Sequence, residues 1–266
     1  MTDAVMSAVI LVAGIGLVAG LLLAIASSVF AVKVNEKETA VRDCLPGANC
    51  GACGYSGCDS YAKALAEDST IPCNLCRPGG NEAAKNIAAV LGVEAVESEP
   101  VAAFVHCGGD CNKCSSKSET QTISSCRAAK GLYGGKKSCI FGCLGCGDCQ
   151  KACAYDAICI ENGIAHIDIR KCVGCGMCAK ACPNGLISLV PKKEVPVISC
   201  SNKEKGAVTR KECSVGCIGC MKCQKNCPAE AITVVDNVAT IDYSKCVACG
   251  KCVEGCPVGC LTMRKI

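Results

Sequence analysis

From Ala4 to Val32 the chain runs for 29 residues without a charge, rich in Val, Leu, Ala and Ile. About 20 such residues cross the hydrocarbon core of a bilayer as a helix, so this stretch reads as a single transmembrane segment. A cleaved signal peptide is the competing reading, since Ala24-Ile25-Ala26 has the small-x-small form, but no Lys or Arg precedes the apolar run. Lys33, Lys37 and Arg42 follow the segment while only Asp3 and the amino terminus precede it, which places the remainder in the cytoplasm. Gly16 and Gly20 form one small-xxx-small pair, weak evidence by itself for a partner helix.

Beyond the anchor the apolar positions come in short groups. A helical stretch passes through Tyr61, Leu65 and Ala66. Residues 157–160 with 164–167, and 231–234 with 238–241, read as hairpins turning at Glu161-Asn162-Gly163 and at Asp236-Asn237. With no Trp, 3 Phe and 5 Tyr, the chain lacks the usual aromatic contribution to a core. What it has is 31 Cys in 266 residues, a density that defines the class. A disulfide-stapled secreted chain, a zinc or metal-storage protein and an iron–sulfur protein all fit that number, and the reducing cytoplasm disfavours the first. Ligation energy is folding energy where no site exists in the unfolded chain, so removing bound metal should unfold most of this one.

Spacing separates the remaining two. Residues 138–190 and 212–264 align without a gap at an offset of 74, so nine cysteines of the first copy, Cys139 to Cys182, recur from Cys213 to Cys256. Each copy holds two C-x-x-C-x-x-C-x-x-x-C runs. In this two-cluster ferredoxin pattern, three thiolates of a run bind one cubane and the fourth crosses to the companion. The expected sets are therefore Cys143, Cys146 and Cys149 with Cys182; Cys172, Cys175 and Cys178 with Cys153; Cys217, Cys220 and Cys223 with Cys256; and Cys246, Cys249 and Cys252 with Cys227. Pro183, Pro228 and Pro257 follow the terminal Cys of their runs as the motif expects, whereas Ala154 stands there in the first. Zinc sites draw on two C-x-x-C pairs rather than runs of four, which favours iron–sulfur.

A separate motif lies behind the anchor, from Leu45-Pro46-Gly47 through Cys58 to Cys76-Arg77-Pro78-Gly79-Gly80. Gly51, Gly54 and Gly57 let the backbone wrap closely round a cubane, and Cys58 lies near a helix N-terminus whose dipole favours negative charge. Cys50, Cys53, Cys58 and Cys76 form the expected ligand set, with Cys44 or Cys73 as the substitutes. The formal charge of +4 counts every Cys as neutral; five four-thiolate cubanes bring it to about −6.

This segment, and its order after one anchor helix, resembles the B subunit of the Rnf complex, the ion-translocating ferredoxin:NAD oxidoreductase, over nearly the whole chain. The resemblance implies an electron-transfer subunit that accepts electrons from soluble ferredoxin and relays them through [4Fe-4S] clusters to membrane and flavin-bearing partner subunits, in a complex that moves Na+ or H+. A membrane polyferredoxin serving another reductase or hydrogenase is the alternative within the same class, and a non-redox zinc or metal-binding protein is the alternative outside it. The second repeat unit departs from the shorter family form and lengthens the expected electron path.

The expected fold is α+β: a transmembrane anchor at 1–33, a small helical four-cysteine iron–sulfur domain at 34–100, a Cys-containing connector at 101–137, ferredoxin-like unit 1 at 138–190, a linker at 191–211 and ferredoxin-like unit 2 at 212–266. These hold five [4Fe-4S] clusters and leave eleven cysteines: Cys44, Cys73, Cys107, Cys111, Cys114, Cys126, Cys139, Cys159, Cys200, Cys213 and Cys260. Cys107, Cys111 and Cys114 have the C-x-x-x-C-x-x-C spacing of radical enzymes, but the chain has no room for the barrel such chemistry occupies. That trio with Cys126 or Cys139 offers a sixth cluster; the competing reading is small buried thiols. His106 and His166 read as bystanders. No G-x-G-x-x-G turn, Walker loop or catalytic triad is present, so no complete active site resides here and hydride transfer belongs elsewhere. An uncharged single helix forms no ion pathway alone.

Overall fold

A computed structural model describes residues 2–29, 35–117 and 123–265. Val32 and Lys33, on which the end of the anchor and part of its orientation rest, lie outside the described residues. The first element is helix α1 (Thr2–Val29), and its stretch Val9–Ser27, with mean hydropathy 2.8, is long and apolar enough to cross a membrane. Leu17 and Leu23 on it are 70% and 71% exposed. No part of the described protein covers that apolar surface, as a lipid-facing helix requires.

Three helices follow: α2 (Glu36–Asp43), α3 (Cys58–Glu67) and α4 (Gly80–Leu91). Asn35 caps α2 by accepting the Lys37 N–H, and α4 stops at Gly92, which takes the left-handed φ of 70° that ends a helix cheaply only as glycine. Their inner faces meet at Val41, Tyr61, Leu65 and Ile87, all buried, and the Tyr61 hydroxyl donates to the Pro72 carbonyl at 2.6 Å.

The rest of the chain is built twice. Hairpin β2 (Ile158–Glu161) with β3 (Ile164–Ile167) recurs as β6 (Ile232–Val235) with β7 (Val238–Ile241). Asn162 and Gly163 in one turn, and Asp236 and Asn237 in the other, all have positive φ, the two-residue connection that matches strand twist. Both hairpins stand where alternation and turn residues placed them. One-turn helices α6 (Asp148–Lys151) and α7 (Met177–Ala181) likewise recur as α9 (Lys222–Lys225) and α10 (Lys251–Glu254).

The outer boundaries differ from the sequence expectation. The expected connector opens with strand β1 (Val101–Val105), which pairs antiparallel with β4 (Ile187–Pro191), Val105 opposite Ile187. The expected linker holds β5 (Pro196–Ile198), which pairs with β8 (Leu261–Met263), Ile198 opposite Leu261, and then helix α8 (Gly206–Glu212). Ile187 and Leu261 are themselves 74 positions apart, so each unit closes on a strand that precedes its cysteine runs. Those strands are too short to alternate visibly, and their partners lie more than sixty residues away. Helix α5 (Cys126–Tyr133) stands between β1 and unit 1.

Arg264 joins the units. Its guanidinium is buried and donates to the carbonyls of Ala102, Ala103, Val190 and Pro191, so the end of the second copy is tied to the outer sheet of the first.

Candidate functional site

The N-terminal thiols gather where α3 and α4 begin. Gly51 and Gly54 have φ of 64° and 92°, which lets the loop between Cys50 and Cys58 curl inward. Asn49 Oδ1 accepts the Cys58 N–H at 2.8 Å and fixes the start of α3. A Cβ on Gly79 would come within 2.5 Å of Ala83 Cβ and 3.2 Å of Cys76 Sγ, so the backbone lies tight against that thiol. Burial raises the Cys76 pKa, and thiolates at Cys58, Cys53 and Cys50 would raise it further. Four thiols close enough to feel one another's charge, in a cradle of glycines, fit a cubane. Of the substitutes, Cys44 Sγ donates to the Ala40 carbonyl at 3.3 Å, and Cys73 is buried in the helical core.

In the first repeat one cavity gathers a thiol that the runs do not contain. A single cavity is lined by Cys126, Cys143, Cys149 and Cys182, with Val105, Ala165 and Leu186 as its apolar wall. Cys146 lines a neighbouring cavity with Cys111 and Cys114, its Sγ bonds the Leu144 carbonyl at 3.5 Å, and burial together with the adjoining Cys126 thiol raises its pKa. Cys126 is delivered by the first residue of α5, whose entry is pinned where Ser125 Oγ and the Arg127 N–H both donate to Asp148 Oδ2. Burial, reinforced by Cys143, Cys126 and Cys182, pushes the Cys149 thiol up to about 12. The Leu186 N–H donates to Cys182 Sγ at 3.4 Å, the contact that stabilises a ligating thiolate.

Cys153, Cys172 and Cys175 all lie close enough to Cys178 for their charges to act on it. Burial pushes Cys178 up to about 11, with Cys172, Cys175 and Cys153 adding to the rise. The Ala103 N–H of β1 donates to Cys172 Sγ at 3.3 Å. Cys175 is raised by burial and also by Cys50, and Tyr155 by burial and by Cys175, Cys50, Cys76 and Cys58, so this set and the N-terminal set are neighbours across Tyr155.

The second repeat gathers its thiols over the corresponding hairpin. Cys252 is pushed up to about 11 by burial, with Cys246, Cys249 and Cys223 contributing, and the Ala231 N–H donates to Cys227 Sγ at 3.3 Å. Cys217, Cys223 and Cys256 share one buried core with Cys260. A hydrogen bond from Cys260 lowers Cys217 to about 6, and Cys260 Sγ lies 3.6 Å from Cys256 Sγ, so a fifth thiol crowds the set formed with Cys220.

Some residues stand aside. Cys159 is exposed, with its Sγ 3.3 Å from Glu161 Oε1, and His166 is exposed opposite it in the hairpin. His106 has both ring nitrogens engaged, Nδ1 with the Ile198 carbonyl at 2.7 Å and Nε2 with Ser188 Oγ at 2.6 Å. Cys114, Cys139 and Cys213 form a buried group of their own. Among the described residues, no three His, Cys, Asp or Glu converge on the point a single ion would occupy; a cubane spreads its four thiolates over separate irons and asks for wider sets.

Comparison with known proteins agrees with this chemistry. Residues 45–78 match the family described as a putative Fe-S cluster, 165–188 a 4Fe-4S binding domain and 216–260 a 4Fe-4S dicluster domain. The chain is 47% identical over 231 residues to the B subunit of the proton-translocating ferredoxin:NAD(+) oxidoreductase complex of Clostridium ljungdahlii, covering 86% of this chain and 81% of that one. It is 40% identical to the Na(+)-translocating counterpart of Acetobacterium woodii, covering 92% of this chain and 74% of the relative. It is also 40% identical to the B subunit of the ion-translocating oxidoreductase complex of Methanosarcina acetivorans, covering 92% and 93%. With thiolate sets, iron–sulfur domains and one apolar helix in the same order, the chain belongs to the B-subunit family of the Rnf ion-translocating ferredoxin:NAD oxidoreductases.

Proposed function

We propose that this chain accepts electrons from soluble ferredoxin on the cytoplasmic side of the membrane and relays them toward the flavin-bearing subunits that reduce NAD in an ion-translocating complex. The observation that carries the reading is the gathering of cysteines into successive four-thiol sets that neighbour one another. Bound there, [4Fe-4S] clusters supply one-electron carriers without proton or hydride chemistry of their own.

Five sets are assigned: Cys50, Cys53, Cys58 and Cys76; Cys153, Cys172, Cys175 and Cys178; Cys126, Cys143, Cys149 and Cys182; Cys217, Cys220, Cys223 and Cys256; and Cys227, Cys246, Cys249 and Cys252. The third takes Cys126 where the run alone suggests Cys146, because the shared cavity supports it. Backbone N–H groups around the sets donate to sulfur at Cys172, Cys182 and Cys227. Tyr155 separates the first two sets, which makes the N-terminal domain and unit 1 consecutive stations. Helix α1 holds the sets at the membrane, next to the partner subunits.

The test is a membrane complex purified with and without this chain. Ferredoxin-driven NAD reduction should be lost without it and return when the chain is restored; unchanged activity would sink the reading.

A further inference from the structure

Where the two repeats meet lies a second population of buried thiols. The ends of β1 and β5 are bonded together: the Gly108 N–H donates to the Ser199 carbonyl at 2.8 Å, and Ser201 Oγ donates to the His106 carbonyl at 3.1 Å. A little further on, Cys114 bridges to Cys213, flanked by Ser115 N–H to the Glu212 carbonyl at 2.8 Å and Ser214 N–H to the Lys113 carbonyl at 2.9 Å. One cavity in this seam is lined by Cys107, Cys114, Cys139, Cys200 and Cys213, with Phe141 beside them.

We propose that Cys107, Cys114, Cys139 and Cys213 hold a further [4Fe-4S] cluster in the seam between the two repeats. The backbone is fitted to the sulfurs. A Cβ on Gly109 would lie 3.1 Å from Cys213 Sγ and 3.9 Å from Cys107 Sγ, and one on Gly142 would lie 3.7 Å from both Cys107 and Cys139 Sγ. Donors point at the thiols as a buried thiolate needs: the Cys143 N–H reaches Cys107 Sγ at 3.3 Å, and Asn202 Nδ2, 2% exposed as a residue, reaches Cys139 Sγ at 3.4 Å. Cys200 is the thiol left over. It belongs to the buried core of unit 2, toward which its Sγ faces to accept the Cys217 N–H at 3.2 Å, and it corresponds to Cys107 by its place after the outer strand.

Binding a [4Fe-4S]2+ core converts four thiols to thiolates, releases four protons and leaves a centre of charge −2. Uptake of one electron takes it to −3 and onward transfer restores it. The proposed set is one hydrogen bond from unit 1, where the Cys143 N–H reaches Cys107 Sγ, and the cavity wall at Cys200 accepts the Cys217 N–H of unit 2. The cluster would join two separate relays into one wire. The proposal rests on the reading that the flanking sets carry clusters.

The test is iron and acid-labile sulfide content of the anaerobically purified full chain. Wild type should carry about 24 irons, Cys114→Ala/Cys213→Ala about 20, and Cys200→Ala about 24. Wild type at about 20 irons, a double variant unchanged from wild type, or about 20 irons with one zinc would each overturn the proposal. Failure of the flanking reading looks different, because wild type then falls well below 20. If the double variant does not fold, spin quantitation of the fully reduced wild type decides: six paramagnetic clusters per chain support the seam site and five overturn it.

Discussion

The two repeats have the same core and different connectors. Each closes β1 on β4, or β5 on β8, in equivalent register, and each presents two cysteine runs over a hairpin. From Cys107 to Cys139 the chain advances 32 positions, yet from Cys200 to Cys213 only 13, so the first connector is 19 residues longer. Those residues carry α5 and with it Cys126, which lines the cavity of Cys143, Cys149 and Cys182 in unit 1. The shorter connector of unit 2 holds α8, which carries no cysteine. The extra thiol of unit 2 is Cys260, where unit 1 has Leu186, and it crowds Cys217 and Cys256 from inside the repeat. The duplicated core thus carries a different extra thiol in each copy, Cys126 from the connector of unit 1 and Cys260 from within unit 2.

The strongest way to break this comparison is to strip the iron anaerobically. Cysteines stand inside the cores of both units, Cys143, Cys149 and Cys178 in one and Cys217, Cys223 and Cys252 in the other. Both should lose fixed structure together, with a stability loss on the order of 10 kcal/mol. The α2–α4 core of Val41, Tyr61, Leu65 and Ile87 is expected to keep more of its amide protection in hydrogen exchange. Equal protection in units 1 and 2 before and after stripping would refute the dependence.

Next in size is ligand choice. Cys126→Ala should remove about four irons while Cys146→Ala leaves the content unchanged; in unit 2, Cys220→Ala should remove about four and Cys260→Ala none. The reverse order in unit 1 would restore the assignment read from spacing. A smaller effect is expected at the tie between units. Arg264→Ala leaves four carbonyls of β1 and β4 without their donor and removes a guanidinium 6.0 Å from the Phe104 ring, for a loss of about 2–4 kcal/mol in denaturant melts. Iron content stays level if the tie serves docking alone.

The smallest contrast is in the turns. Asn237→Gly in unit 2 replaces a residue at φ 62° with one that adopts it freely, and should change stability by less than about 1 kcal/mol. Gly163→Asn in unit 1 adds a Cβ that would lie 2.7 Å from Cys111 Sγ, and should cost about 1 kcal/mol more. Equal melting shifts for the two variants would show that the connector gives way at Cys111.

Much of this protein was legible from residue order alone. The uncharged run within α1, the hairpins with their Asn-Gly and Asp-Asn turns, the duplication at 74 and the C-x-x-C runs all declare themselves within a few neighbouring residues, because helix period, turn conformation and chelate spacing are local properties. Tertiary structure decided what depends on distant partners. Val101–Val105 becomes a strand because 187–191 lies ready to pair with it, Cys126 reaches the cavity of Cys143, Cys149 and Cys182 because α5 is tied to Asp148, and Cys107, Cys114, Cys139 and Cys213 meet only when the units dock. Local pattern names the thiols, and the packing of segments far apart in the chain chooses which of them face one another.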